Sequence, residues 1–215
     1  MNDTITEKIK AAFAWRAAVK AYDTSKKVSD ADIATIQDAA RMSPGAYGLQ
    51  PYHIIDVRDP ALRAKVREAA YGQAQTTDAS HLFVIAVRTD IDAAFIDEFV
   101  RNTATTRGLD IATLAGFRDM MVNDITTRTS EGRFAWAGRQ AYIGFGAMIE
   151  TAALLGVDAG PMEGFNPAAV NEALGLDALK LNAVGLFVLG YRSDEDKWST
   201  MPKVRIAKED FVIVK

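Results

Sequence analysis

The sequence predicts an α+β fold. Amphipathic helical segments and short apolar strand segments both occur along the chain. They do not alternate strictly, as the helices and strands of a parallel sheet would. The chain has 215 residues, of which 49% are apolar and 25% charged, which is enough for a packed core. Because no repeat, linker or low-complexity run divides the chain, we expect a single domain over residues 1–215.

Capping residues mark the starts of the first three helices. Thr4 and Glu7 have the spacing of a capping box, and the helical period is lost near Arg16, where this helix should end. Ser29 is the expected cap of a second helix. Asp59 precedes a proline, a residue favoured at the first position of a helix, so a third helix should start there.

Strand patterns and further helices follow in order. The segments "YHIIDV", "HLFVIAV" and "LNAVGLFVLGYR" indicate strands, and "VDAGPMEGF" indicates a short strand and a turn. From about residue 90 to 133 the pattern predicts an excursion of two or three helices. A long helix should follow and end at Gly156, a good C-cap. Its small residues suit either a central buried helix or a dimer interface. Asn166-Pro167 begins a short helix.

Composition excludes several classes of function. Lys and Arg total 25 against 28 for Asp and Glu, so the net charge of -3 gives no general attraction for nucleic acid or anionic membranes. The sequence has no cysteine, and its two histidines, His53 and His81, fall in predicted strands without metal-ligand spacing. Neither a signal peptide nor a membrane-spanning run is apparent, so we expect a cytoplasmic protein.

Familiar catalytic motifs are missing as well. The segment "GFGAMI" begins like a dinucleotide-binding fingerprint, but it lies within a helical pattern and lacks the third glycine. There is no phosphate-binding P-loop and no serine in a nucleophile elbow. We therefore assign no catalytic side chain.

Two alternating patterns of cations could hold an anion. Arg16, Ala18 and Lys20 alternate, so an extended backbone would point all three to one side. Lys203 and Arg205 alternate in the same way near the other end of the chain. Taken alone, both patterns also fit solvated surface edges, which are common.

The segment "GPMEGF" contains two glycines around a proline and an acid, just after a predicted strand. Glycine allows a backbone to approach a flat ligand closely and to present free N–H groups to it. An ordinary turn is the alternative interpretation of this segment by itself.

In their order along the chain, these segments resemble the FMN-dependent nitroreductase family. The resemblance rests on Arg-x-x-x-Lys-x-aromatic-Asp, Ser-Pro-x-x-x-x-x-Gln-Pro-aromatic, "DASH", Pro-x-Glu-Gly-Phe and Pro-Lys-x-Arg, and runs from "WRAAVKAYD" to "PKVRIA". It implies a nitroreductase-like fold with a central, mainly antiparallel sheet flanked by helices. It also implies an intertwined homodimer with exchange of the C-terminal strand and two FMN sites at the interface.

By matching position, the resemblance assigns the FMN phosphate to Arg16, Lys203 and Arg205. Charge-assisted donors of this kind suit a dianion. Ala18 stands where many relatives carry a hydroxyl, so one phosphate contact is expected to be missing. Lys20 would lie near the pyrimidine edge of the flavin, where a cation favours the reduced anion.

The ring itself would be met by backbone and small residues. Backbone N–H groups near Glu163 and Gly164 would approach flavin N5, with Pro161 and Met162 against the ring. Gly72 and Gln75 lie where many relatives have Asn followed by Lys or Gln, and Gln75 is the candidate for the pyrimidine edge. Because a neutral Gln stabilises the flavin anion less than Lys, we expect a lower flavin potential than in relatives with Lys.

The loop from Arg41 to Ile54 is too long for a simple turn, and the resemblance supplies a reason. In similar proteins this Ser-Pro loop reaches the flavin of the partner subunit. Its unpaired backbone groups suit ligand contact. The residues expected to touch the partner's FMN are Pro44, Gly45, Ala46 and Gly48.

The implied activity is oxidation of NADH or NADPH by FMN, followed in ping-pong order by reduction of a flat acceptor such as a nitroaromatic or quinone. Flavin, pteridine or enone reduction and flavin binding without turnover are the alternatives. The helical excursion should line the active-site entrance, and a core stripe is the alternative for its apolar residues. The candidate substrate residues there are Phe117, Met120, Met121 and Val122.

The end of the chain, "FVIVK", has strand composition but is too short to be stable alone. In similar proteins the C-terminus wraps around the partner. We expect this segment to support both the dimer and FMN retention.

Overall fold

Four antiparallel strands form one sheet in the computed structural model, which describes residues 4–215. The strand order is β1-β2-β4-β3, and every adjacent pair is antiparallel. The strands are β1 (Tyr52–Asp56), β2 (His81–Arg88), β3 (Asp158–Met162) and β4 (Leu181–Gly190). The predicted α+β class with a central antiparallel sheet is confirmed.

Helices cover both faces of this sheet. They are α1 (Ile5–Trp15), α2 (Asp30–Arg41), α3 (Pro60–Ala69), α4 (Gln75–Asp78), α5 (Ala93–Arg107), α6 (Ala115–Thr126), α7 (Ser130–Leu154), α8 (Pro167–Leu174) and α9 (Lys208–Phe211). Short 3₁₀ turns occur at Ala46–Gly48, Ile111–Leu114 and Leu176–Leu179. None of the helices in the described part of the chain combines the length and apolarity needed to cross a membrane.

The core has two halves, one on each face of the sheet. Along β2, Phe83, Ile85 and Val87 face α2 and α5 to α7, whereas Leu82 and Val84 face α3 and α8. This alternation follows from the two-residue period of a strand. Helix α7 lies across the first face and contributes its buried residues to that half of the core.

The predicted helix starts are confirmed at their capping residues. Thr4 and Glu7 form the capping box, the Ser29 hydroxyl accepts the Asp32 N–H, and the Asp59 carboxylate caps α3 ahead of its first proline. Each cap satisfies N–H groups that a first helical turn leaves unpaired. Helix α1 ends at Trp15, as the loss of period near Arg16 predicted.

The end of the chain differs from its strand-like composition. Lys208–Phe211 form one helical turn, and residues 212–215 have no regular structure in this single chain. An isolated terminal strand has no neighbouring edge with which to pair its backbone groups.

Candidate functional site

The cation pattern that follows α1 lies on an extended backbone beside β3. Ala18 forms a parallel bridge with Ala159, and Tyr22 forms an antiparallel bridge with Arg192. Val19 is fully buried, whereas Ala18 and Lys20 are exposed, as the alternation of an extended chain requires. Lys20 follows Val19, whose carbonyl lies 3.3 Å from the position of a Cβ on Gly160 of β3.

Two glycines let this segment approach the sheet. A Cβ on Gly190 would lie 2.8 Å from the Tyr22 ring, and one on Gly160 would lie 2.8 Å from Val188 and 3.1 Å from the Tyr22 hydroxyl. A side chain at either glycine would therefore push Tyr22, and the cation-bearing strand with it, away from β3.

A buried carboxylate holds the C-terminal part of the chain beside the cation pattern, and Lys203 lies beyond it. Asp196 accepts the backbone N–H groups of Lys20 at 2.9 Å, Ala21 at 3.2 Å and Ser199 at 2.9 Å. Beyond this turn, the Lys203 ammonium donates to the carbonyl of Ala14, in the last turn of α1. A cation at this end of a helix is favoured by the helix dipole.

Arg16 and Lys203 therefore meet at one end of α1. Among the described residues, the guanidinium of Arg205 donates only to the adjacent Val204 carbonyl. Within residues 4–215, none of the four cations Arg16, Lys20, Lys203 and Arg205 has a carboxylate within salt-bridge distance. The guanidinium of half-buried Arg16 also donates no hydrogen bond in that range. Such a donor set fits a dianionic phosphate.

A neighbouring arginine is already occupied. Arg192 donates through its side chain and its backbone N–H to Asp158, which is almost fully buried, and its guanidinium lies 4.5 Å from the Trp15 ring centroid. This pair fixes the end of β4 beside the cation-bearing strand. No local motif marks this pair in the sequence, because Asp158 and Arg192 are 34 residues apart.

The turn after β3 brings the Pro161–Gly164 segment to this region. Gln73 donates to the Gly164 carbonyl at 2.7 Å, and the Tyr142 hydroxyl donates to the Glu163 carboxylate. The N–H groups of Glu163 and Gly164 find no acceptor between residues 4 and 215. An apolar cavity of about 220 Å³ lies between this turn and α7, lined by Pro161, Met162 and Glu163 with Tyr142, Phe145, Gly146 and Ile149.

The segment before β2 presents Gln73, not Gln75, to that turn. Gln75 is only 4% exposed, and its amide donates to the Gln73 side-chain oxygen at 3.0 Å. Gly72 is exposed in the left-handed region at φ +76°. Arg63 on α3 donates to the backbone carbonyls of residues 76, 79 and 80, and this anchoring holds Gln75 in its buried position.

The Ser-Pro loop lies apart from these residues within one chain. The Ala46 N–H donates to the Gln140 side chain at 2.8 Å, and the Tyr47 hydroxyl donates to Asp124 at 3.0 Å. Tyr47 has a positive φ of 59°, an uncommon conformation for a residue other than glycine. The hydrogen bonds to Gln140 on α7 and Asp124 on α6 hold the loop in this conformation. Its site candidates, Pro44, Gly45, Ala46 and Gly48, are thus grouped with these helices and not with Arg16.

Helix α6 shares this second surface. The Phe117 ring meets the Tyr47 ring edge-on at 6.3 Å, and Val122, like Phe117, is half-buried. Met120 is 51% exposed, whereas Met121 is fully buried in the core. Met121 is therefore a core residue of α6, which was the alternative interpretation of this apolar pattern. The candidate residues form two groups, one around Arg16 and the 161–164 turn, the other on the Ser-Pro loop and α6.

Comparison with known proteins identifies this arrangement. The sequence model described as the Nitroreductase family matches residues 13–191. A Staphylococcus epidermidis protein with the provisional name NAD(P)H nitroreductase is 32% identical over 220 residues, covering 99% of this chain and 97% of that protein. A similarly named Staphylococcus aureus protein is also 32% identical, over 99% of this chain and 96% of its own.

Solved structures agree on the fold. A crystal structure named provisionally as a nitroreductase from Bacillus subtilis has a TM-score of 0.83 at 20% identity, covering 98% of this chain and 100% of that chain. Another, from Exiguobacterium sibiricum in complex with FMN, has a TM-score of 0.77 at 20% identity over 100% and 99% of the two chains. The fold is thus that of the nitroreductase-like α+β proteins. The chain belongs to the nitroreductase family, as its motifs indicated.

Proposed function

We propose that this protein is an FMN-dependent NAD(P)H oxidoreductase that reduces flat acceptors such as nitroaromatics or quinones. Membership of the nitroreductase family and the NAD(P)H nitroreductase names of its relatives support this class of enzyme. The observation that carries the proposal is that Arg16 and Lys203, from opposite ends of the chain, meet at the end of α1 without a carboxylate partner in residues 4–215.

These cations fit the phosphate of FMN. Arg16, Lys203 and Arg205 would hold it, because charge-assisted hydrogen bonds from several donors suit a dianion. Arg16 supplies a fork that binds two oxygens at once. Ala18 leaves the phosphate site without a hydroxyl at that position. Lys20, two residues beyond the bridge between Ala18 and Ala159, would add a positive charge nearby.

The ring would lie against the turn after β3. The free N–H groups of Glu163 and Gly164 would donate to it, and Pro161 and Met162 would support it. Bound FMN would supply the redox chemistry, taking a hydride from the nicotinamide donor and giving two electrons to the acceptor. The protein's own part is to bind, orient and shield, which needs no nucleophile.

A second copy of the chain would complete the site. The Ser-Pro loop and α6 lie on a different surface from Arg16, so they would serve the partner's FMN in a homodimer. Exposed apolar residues support such an interface, namely Phe134, Tyr142, Ile143 and Leu154 of α7 with Ile5, Ile9 and Phe13 of α1. Exposed apolar surface of this kind is typical of association.

Met120 and the half-buried Phe117 and Val122 would then contact the acceptor at the entrance. Their side chains are apolar and aromatic, which suits a flat, uncharged molecule. Met121 contributes through the packing of α6 and not by contact.

The test begins with purified protein. We expect bound flavin absorbance, release of FMN on denaturation, rapid anaerobic bleaching by NADH or NADPH, and reoxidation by nitroaromatics or quinones. Rates across a panel that includes free flavins, pteridines and enones define the acceptor class. Protein that is colourless and takes up no added FMN at micromolar concentration would overturn the proposal.

A further inference from the structure

We propose that Gln73 and Tyr142 are positioning residues that clamp the Glu163–Gly164 turn from two sides and so fix the direction of its free N–H groups. This inference rests on the proposed function, which places those N–H groups at the redox-active edge of FMN. It assigns a role to two residues that no sequence motif marks.

The side-chain amide of Gln73 links the turn to the segment before β2 through three hydrogen bonds. Its side-chain nitrogen donates to the Gly164 carbonyl at 2.7 Å and to the Ala70 carbonyl at 3.1 Å, so both of its hydrogens are used. Its oxygen accepts from Gln75 at 3.0 Å. Because Gln75 is 96% buried and cannot move freely, the Gln73 amide is held at both ends.

Tyr142 clamps the turn from the opposite side. Its hydroxyl donates to the Glu163 carboxylate and lies 3.2 Å from the Val184 carbonyl. The Tyr142 ring packs edge-on against Phe145 at 5.7 Å, which fixes it on the surface of α7. Burial, with the neighbouring Glu163 carboxylate, raises the pKa of Tyr142, so the phenol remains a donor across the physiological range.

Gln73 orients the peptide between Gly164 and Phe165, and the N–H of that peptide in turn sets the direction of the peptide between Glu163 and Gly164. The Phe165 N–H donates to the Glu163 carbonyl at 2.9 Å, and the Asn166 N–H donates to Ala69 at 2.9 Å. Since a trans peptide is planar, directing the Glu163 carbonyl to Phe165 directs the Gly164 N–H the opposite way. That N–H is one of the two without an acceptor in residues 4–215.

A fixed N–H donor has a predictable effect on a flavin. In the oxidised ring N5 accepts a hydrogen bond, whereas in the reduced ring it carries a hydrogen and is a poorer acceptor. A donor held at N5 therefore favours the oxidised form. Loss of the hydrogen bonds that hold the turn should therefore raise the two-electron midpoint potential. For one lost hydrogen bond, the ratio of reduced to oxidised flavin at a fixed potential should rise about fivefold.

The experiment compares Gln73→Met, Tyr142→Phe and the double variant with the wild type. Each substitution keeps most of the side-chain volume and removes the hydrogen bond. Gln37→Met and Tyr191→Phe are matched controls, since neither side chain makes a hydrogen bond in the described structure. The readouts are the potential of bound FMN and, in flavin-free protein, hydrogen exchange of the segment 158–166.

We expect faster exchange and a higher potential in both single variants, with no change in the controls. The effects in the double variant should not add, because both contacts hold the same turn. Variants that bind FMN with unchanged potential and unchanged exchange would overturn the inference. Wild-type protein that takes up no FMN would instead overturn the proposed function.

Discussion

Arg16 allows a sharp prediction because its half-buried guanidinium has no ionic partner in the described structure. Arg16→Ala should weaken FMN binding about 10- to 100-fold, the worth of one or two hydrogen bonds to a charged group. Arg16→Lys should fall between, because an ammonium cannot bind two oxygens in a fork. Fluorescence titration of the flavin-free protein measures both.

Riboflavin is the control ligand for this prediction, since it lacks the phosphate. Its weaker affinity should be the same in wild type and Arg16→Ala. Arg41→Ala is the control variant, because Arg41 is exposed and paired with Asp38. Equal losses for FMN and riboflavin would show that Arg16 acts on the fold and not on the phosphate.

Asp196 predicts a dependence of stability on pH. Burial raises the pKa of its carboxyl, but the N–H groups of Lys20, Ser199 and Ala21 and the Ser199 hydroxyl outweigh burial and lower it. A lowered pKa in the folded state means that this stabilisation is present above the ordinary value of about 4 and is lost as the pH falls through the lowered value. Thermal unfolding between pH 5 and pH 3 should show this loss.

Asp196→Asn should lower stability at pH 7 by about 1–3 kcal/mol, since buried N–H donors lose a charged acceptor. The variant should also show a shallower decline below pH 5 than the wild type. Asp194→Asn, at an exposed neighbour, is the control. A parallel decline in wild type and Asp196→Asn would remove Asp196 as the source.

The helices and strands that could be predicted from the sequence are those whose signals lie between near neighbours along the chain. Thr4, Ser29, Asp59 and Asn166 marked their helices because a cap involves residues two or three positions away. Gln73 and Asp196 could not be recognised in this way, since their partners lie 91 and 176 residues away. Motif spacing marks Gln75, but spacing does not reveal that the anchoring of residues 76–80 buries this side chain within its own chain.

Helix α6 shows the same limit and allows a direct test. A helical stripe marks Met120 and Met121 alike, but only the fold decides that Met120 is exposed and Met121 is buried. Met121→Ala should cost about 2–5 kcal/mol of stability through loss of core packing. Met120→Ala should leave stability within about 0.5 kcal/mol and change the KM for bulky acceptors.

Denaturant unfolding and steady-state kinetics across several acceptors separate the two methionines. FMN content should be unchanged in Met120→Ala. A marked loss of stability in Met120→Ala, or none in Met121→Ala, would contradict the assignment of these side chains to surface and core.

The proposed function divides the FMN site between two surfaces of the chain. Arg16 and the 161–164 turn lie on one surface, and the Ser-Pro loop with α6 lies on another. The same chain folds both halves, so a symmetric pair would place each half opposite its complement and form two sites. Cofactor retention and association should therefore rise and fall together.

The last residues of the chain test that coupling. Phe211 is 74% exposed and Val214 is 88% exposed, so the tail buries little against its own chain. Removal of residues 210–215 should therefore leave the circular dichroism of the remaining fold unchanged. It should also weaken the dimer and reduce bound FMN, because such an apolar tail gains burial only against a partner.

Ile213→Lys in the full-length chain should act in the same direction, whereas Lys215→Ala should have no effect. Light scattering after size exclusion, with the ratio of flavin to protein absorbance, measures both properties, and a truncated protein that stays dimeric and yellow would refute the role of the tail.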